Sequence, residues 1–155
     1  MIRPFTRAAI LPFTRLGEKF WYESNSHIHF GEYDPVYIQR ALDQSLTNGF
    51  MVGWASFAQE GEMNSVLLAI RDKCFWKDVE ILREIVWYSD KTSRGKMGAL
   101  KAYKEAEKFA KNNNIKKIIM GRIRGVPTYD KLDKFYQKND FKSFEDEYIK
   151  DLKVR

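Results

Sequence analysis

An apolar, β-rich run, VEILREIVWYS (79–89), stops at a turn of small and basic residues, DKTSRGKMG, and passes straight into a helix of about four turns. No other feature restricts the fold of this chain as much. Strand, short turn and helix in that order make an α/β unit, with the helix laid back over the sheet that holds the strand. In the helix, Ala99, Ala102, Tyr103, Ala106, Phe109 and Ala110 form one apolar stripe. Lys101, Lys104, Glu105, Lys108 and Lys111 take the opposite side.

The remaining chain can be read around that unit. IRPFT (2–6) is a short extended start, and 7–23 reads as one helix bent near Pro12, which cannot donate its backbone N–H. SNSHIHFGEYDP is rich in turn formers and reads as a loop, and Asp34-Pro35 opens a second helix that Asn48-Gly49 ends. Strands are predicted over 50–58, 65–75 and 79–89, with Glu60-Gly61 as the hairpin turn between the first two. IKKIIMGRI (115–123) reads as a buried strand, TYDKLDKFYQKN as a short helix, and FKSFEDEYIKDL as one or two closing extended pieces. The predicted order is β-α-α-β-β-β-α-β-α-β, giving a mixed, mostly antiparallel sheet flanked by helices.

With 155 residues, 44% of them apolar, the chain can bury one sizeable core, and a single domain over 1–155 is expected. No run approaches the roughly 20 apolar residues of a membrane span, and the one cysteine, Cys74, excludes an internal disulfide framework. The cytoplasm is the expected compartment. The net charge of +6 is concentrated: 91–117 holds nine Lys or Arg against Glu105 and Glu107, a local +7, so the rest sums to −1. Such a concentration attracts phosphates, whether on a nucleotide cofactor or on nucleic acid; a solvated helix face is the plainer account.

The turn before the basic helix favours the cofactor. A helix N-terminus leaves backbone N–H groups unpaired and pointing one way, and these act with the helix dipole on a pyrophosphate. Gly95 and Gly98 permit close approach, and Arg94 can add charge-assisted hydrogen bonds. The stretch is not a Walker A loop and lacks the G-x-G-x-x-G spacing. It resembles the acyl-CoA loop R/Q-x-x-G-x-G/A of the GCN5-related N-acetyltransferase (GNAT) family: Arg94 and Ala99 match, Gly98 lies within the loop, and Met97 replaces the central glycine. KFYQKNDF resembles that family's Y-x-x-x-G-F signature, with Tyr136 and Phe141 matching and Asp140 in place of glycine. LREIVWYS resembles its fourth strand, and the segments follow the family's order over essentially the whole chain. Tyr129 stands where the family often carries an asparagine, seven residues before the tyrosine.

The resemblance implies an acetyl-CoA-dependent N-acetyltransferase of the small single-domain phage or bacterial type. Glu84 is the candidate base, because a carboxylate amid apolar neighbours has its charged form disfavoured; a cross-strand partner for Arg83 or another basic residue is the alternative, and Glu80 is the reserve candidate. Tyr136 is the implied acid for the departing thiolate. The backbone of Trp87 and Ser89 would meet the pantetheine arm, with Arg94, Gly95, Lys96, Met97, Gly98 and Ala99 around the pyrophosphate. His27 and His29 lack a third ligand nearby, so no metal is expected, and Cys74 reads as a small core residue. The acceptor would be an amine on a small molecule or protein, without a membrane partner; a homodimer stays open. A non-catalytic protein that keeps the CoA fold is the alternative. A nucleic-acid module ranks behind both, because aromatics are not interleaved with the basic cluster.

Overall fold

Residues 1–58, 61–124, 126 and 128–152 are described by the structure, a computed structural model. Among them five strands form one sheet in chain order: β1 (Ile2–Pro4), β2 (Met51–Phe57), β3 (Met63–Lys73), β4 (Glu80–Ser89) and β5 (Lys117–Ile119). The first four pair antiparallel. β5 joins β4 in parallel, as a helical crossover between them requires.

The run SVLLAI in β3 explains the layers. Successive strand residues point to opposite faces, and here both sets are apolar: Val66 and Leu68 enter one core, Leu67 and Ala69 another. A strand apolar on both sides has to be covered on both. On the first face lie α1 (Ile10–Glu23), which contributes Phe13 and Leu16, and α3 (Pro35–Thr47), which contributes Leu42. On the second lie α4 (Gly98–Asn112), through Ala102, Ala106 and Ala110, and α5 (Tyr129–Lys138), through Phe135. Small residues on α4 let it lie close to the sheet, and its first residue is the tightest point. A Cβ on Gly98 would stand 2.5 Å from Ser65 Oγ and 2.9 Å from Ser56 Oγ.

Several elements depart from the sequence reading. Pro12 does not interrupt α1: a 3-10 turn (Arg7–Ala9) precedes the helix, so Pro12 falls in its first turn, where an N–H has no helical partner to lose. The stretch read as a loop holds α2 (Ser26–Phe30), a short helix set between left-handed Asn25 and Gly31. The Asp34-Pro35 start is found, with Asp34 Oδ1 accepting the Tyr37 N–H at 2.9 Å. Of the expected hairpin turn, Glu60 lies outside the described residues, and Gly61 takes φ +81°.

β5 is shorter than the 115–123 expected, and no strand follows α5 among the described residues, so the closing β of the predicted order is not formed. β5 loses its β4 partner after Arg83↔Ile119. In the closing segment Phe144, Tyr148 and Leu152 would share one strand face, but Asp146 and Lys150 stand between them on that face, and these three and Ile149 are all exposed. Among the described residues no helix is long and apolar enough to cross a membrane.

Candidate active site

The parting of β4 from β5 creates the site. The two strands are paired only over Ile81↔Lys117, Leu82↔Ile118 and Arg83↔Ile119, while β4 runs on to Ser89. A β-bulge sits at the fork: Ala69 pairs with Glu84 and Leu68 with Val86, leaving Ile85 as the extra residue. The Asp90 N–H bonds Asn64 C=O on the β3 side. Backbone groups of alternate residues face alternate edges, so Trp87 and Ser89 present theirs to the edge that β5 has left. Ser89 C=O indeed accepts from Arg94 Nε, at 3.3 Å, on that side.

Glu84 stands at the fork, and it and Tyr136 of α5 both bond the backbone of Gly121. Glu84 Oε2 accepts the Gly121 N–H at 2.8 Å, and the Gly121 C=O accepts the Tyr136 hydroxyl at 2.5 Å. Glu84 is half-buried, with the carboxylate as its covered end. Burial pushes the Glu84 carboxyl up to about 7, although the N–H groups of Gly121 and Trp87 pull the other way. The Tyr136 phenol is held well above its ordinary range by burial first and by the Glu84 charge second, so it is protonated at neutral pH. Its ring lies in an aromatic cluster with Trp87, Phe135 and Phe141. The Trp87 indole N–H reaches across to the Ala99 C=O of α4 at 2.9 Å.

The turn from β4 into α4 ends on a helix N-terminus without a side-chain cap. Asp90 opens it, with Oδ1 accepting the Thr92 N–H at 2.9 Å and the Thr92 hydroxyl at 2.8 Å over the 3-10 turn Lys91–Ser93. Gly95 and Met97 are both left-handed, at φ +86° and +64°. No side chain caps α4 and no acid lies in its first turn, so its leading N–H groups remain available to a ligand. Lys96 is exposed beside them. Arg94 is already engaged: its Nη2 pairs with Glu23 of α1, and its guanidinium lies 5.6 Å from the Tyr88 ring centre.

No protein-family model matches the sequence, and no curated protein matches it either. Solved structures do match it, and over the whole chain. A predicted acetyltransferase with acetyl-CoA from Clostridium acetobutylicum superimposes with a TM-score of 0.74 at 17% identity, over 97% of this chain and 94% of that one. A ribosomal-protein-alanine N-acetyltransferase from Brucella melitensis biovar Abortus gives 0.72 at 13%, covering 98% and 99%. A GNAT family acetyltransferase from Staphylococcus aureus gives 0.69 at 12%, covering 98% of each. The chain has the GNAT fold.

Within that fold the two departures from the glycine motifs become intelligible. Met97 and Asp140 replace the glycines of the loop and of the Y-x-x-x-G-F signature, and both take the left-handed backbone, φ +64° and +61°. The conformation that favours glycine is kept without the glycine. Of the other candidates, Glu80 pairs with Arg71 at 3.0 Å, and Arg83 lies 3.6 Å from Asp72. Among the described residues no three His, Cys, Asp or Glu side chains converge on a metal position. Cys74 lies in the connection between β3 and β4, six residues before β4 begins at Glu80, and is half-buried and outside both core clusters, not the core residue that the sequence suggested. Sequence reasoning missed Gly121, although a glycine inside an apolar strand reading signals close backbone approach. It also missed Glu23, Lys19 and Asp90 around the turn, for which no local pattern exists.

Proposed function

We propose that this chain is an N-acetyltransferase that moves an acetyl group from acetyl-CoA to an amine by direct transfer. The observation that carries the reading is the Glu84–Gly121–Tyr136 arrangement at the strand fork. The backbone of Gly121 holds a carboxyl that titrates near 7 on its N–H and a protonated phenol on its C=O. Those are the two proton-handling groups that amine acylation by a thioester needs.

Acetyl-CoA supplies an activated acetyl thioester. The uncapped N-terminus of α4, with Gly95, Lys96, Met97, Gly98 and Ala99, would hold its pyrophosphate, and the outward backbone of Trp87 and Ser89 its pantetheine arm. Glu84, titrating near 7, accepts the proton of an acceptor ammonium, directly or through water. Tyr136 releases its hydrogen bond to Gly121 and offers the hydroxyl to the sulfur as negative charge develops there. Acceptor amines on small molecules and on proteins both suit this chemistry. The test is consumption of acetyl-CoA against a panel of amines and peptides. Wild type should turn over at least one of them, and Glu84→Gln should not.

A second reading, a CoA-binding protein without transfer, is favoured by the Tyr136 hydroxyl being already satisfied by Gly121. Binding of acetyl-CoA with no turnover on the panel would select it.

A further inference from the structure

The cofactor turn is fixed from outside, by the helix on the other face of the sheet. α1 buries Phe13 and Leu16 in the core, and this orients Lys19 and Glu23, one turn apart on the same side of the helix. Lys19 pairs with Asp90, whose side chain is only 12% exposed. Glu23, 15% exposed, accepts the Tyr88 hydroxyl at 2.7 Å on one oxygen and Arg94 Nη2 on the other. Asp90 and Arg94 bracket the 3-10 turn, so both of its ends are tied to α1. The Phe20 ring, 5.5 Å from that of Tyr88, closes the contact.

From this geometry we propose that Lys19 and Glu23 are positioning residues for the acetyl-CoA loop, and that Arg94 serves it as the counter-ion of Glu23 and not as a phosphate ligand. The proposal rests on the acetyl-CoA reading for its ligand. Its physical basis is the segment that follows. Gly95 and Met97 both hold left-handed backbone, which in Met97 is unfavourable and persists only where the surroundings impose it. Fixing Arg94 on one side and Gly98 against Ser56 and Ser65 on the other imposes it. The four charges of the clamp balance, Lys19 against Asp90 and Glu23 against Arg94. Attraction for phosphate is therefore left to the helix N-terminus and to exposed Lys91 and Lys96.

The test compares wild type, Glu23→Gln, Arg94→Glu and the exchanged pair Glu23→Arg with Arg94→Glu, all as the full chain. Backbone hydrogen exchange in the unliganded protein is read at 95–100, with β2 and β3 as internal reference, and acetyl-CoA affinity is read by calorimetry. Glu23→Gln should speed exchange at 95–100 about tenfold, leave the reference strands unchanged, and weaken acetyl-CoA about tenfold, with kcat on any accepted amine altered less than about twofold. Arg94→Glu should weaken binding at least as much, and the exchanged pair should recover most of it. Unchanged exchange in Glu23→Gln overturns the clamp. An exchanged pair that keeps the fold yet binds no better than Arg94→Glu overturns the counter-ion role and makes Arg94 a direct ligand. Wild type that binds no acetyl-CoA refutes the functional reading instead, and the exchange measurement still decides whether α1 clamps the turn.

Discussion

Replacing Glu84 by glutamine should make the protein more stable and less active, by an amount set by pH. Burial raises the Glu84 carboxyl from 4.5 to about 7. Below the unfolded value the group is neutral in both states and folding carries no charge cost. Between 4.5 and 7 the unfolded chain ionises while the folded one keeps its proton, so the folded state binds more protons and stability falls as pH rises. Above 7 both are ionised, and the full cost of the buried charge is present. At 1.36 kcal/mol per pKa unit, a shift of that size amounts to about 3 kcal/mol. Glutamine matches the protonated acid in shape and can still accept the Gly121 N–H. Glu84→Gln should therefore equal wild type near pH 4.5 and exceed it by up to about 3 kcal/mol at pH 8, roughly 6–12 °C in Tm for a chain of this size. The assay is thermal unfolding of both proteins from pH 4.5 to 8.5, taken as a difference so that other titrations cancel. Wild-type kcat/KM should climb as pH rises and level off above about 7. A stability difference that stays flat across this range, or a glutamine variant less stable at pH 8, would refute the burial of this carboxylate and with it the base assignment.

Tyr136→Phe should cut turnover about 10²-fold while leaving acetyl-CoA affinity nearly unchanged, since its hydroxyl acts on developing charge; steady-state kinetics with calorimetry checks this. Met97→Gly should stabilise the fold by about 0.5–1 kcal/mol in denaturant titration, because glycine relieves the left-handed strain at φ +64°. Gly98→Ala should cost about 1–3 kcal/mol, since its methyl would meet Ser65, which is only 1% exposed, and α4 would have to shift; the same titration reads it.

The α/β layout was legible because β3 and α4 carry strong periodic signals, apolar on both faces in the one and small residues on a single stripe in the other. The capped start at Asp34-Pro35 was legible for the same local reason. The closing segment is harder to judge from sequence: Phe144, Tyr148 and Leu152 offer a common strand face broken by Asp146 and Lys150, and that face is left exposed and unpaired among the described residues. In the candidate site, Glu84 and Tyr136 stand out in the sequence as candidates, but their link does not. It runs through the backbone of Gly121, 37 positions from one and 15 from the other. The sequence offers Arg94 as a cofactor-binding candidate but hides its ion pair, because Glu23 lies 71 residues away on α1. Ion pairs across such separations leave no trace in local spacing.

The central claim, that the fork and the loop serve acetyl-CoA, is tested most directly by thermal unfolding with acetyl-CoA, set against short DNA or RNA at physiological salt. Acetyl-CoA at 100 times its dissociation constant should stabilise the protein by about 2.7 kcal/mol, with no comparable effect from the oligonucleotide. No shift at millimolar acetyl-CoA, with a clear shift on adding oligonucleotide, would contradict the account and assign the basic face around α4 to nucleic acid.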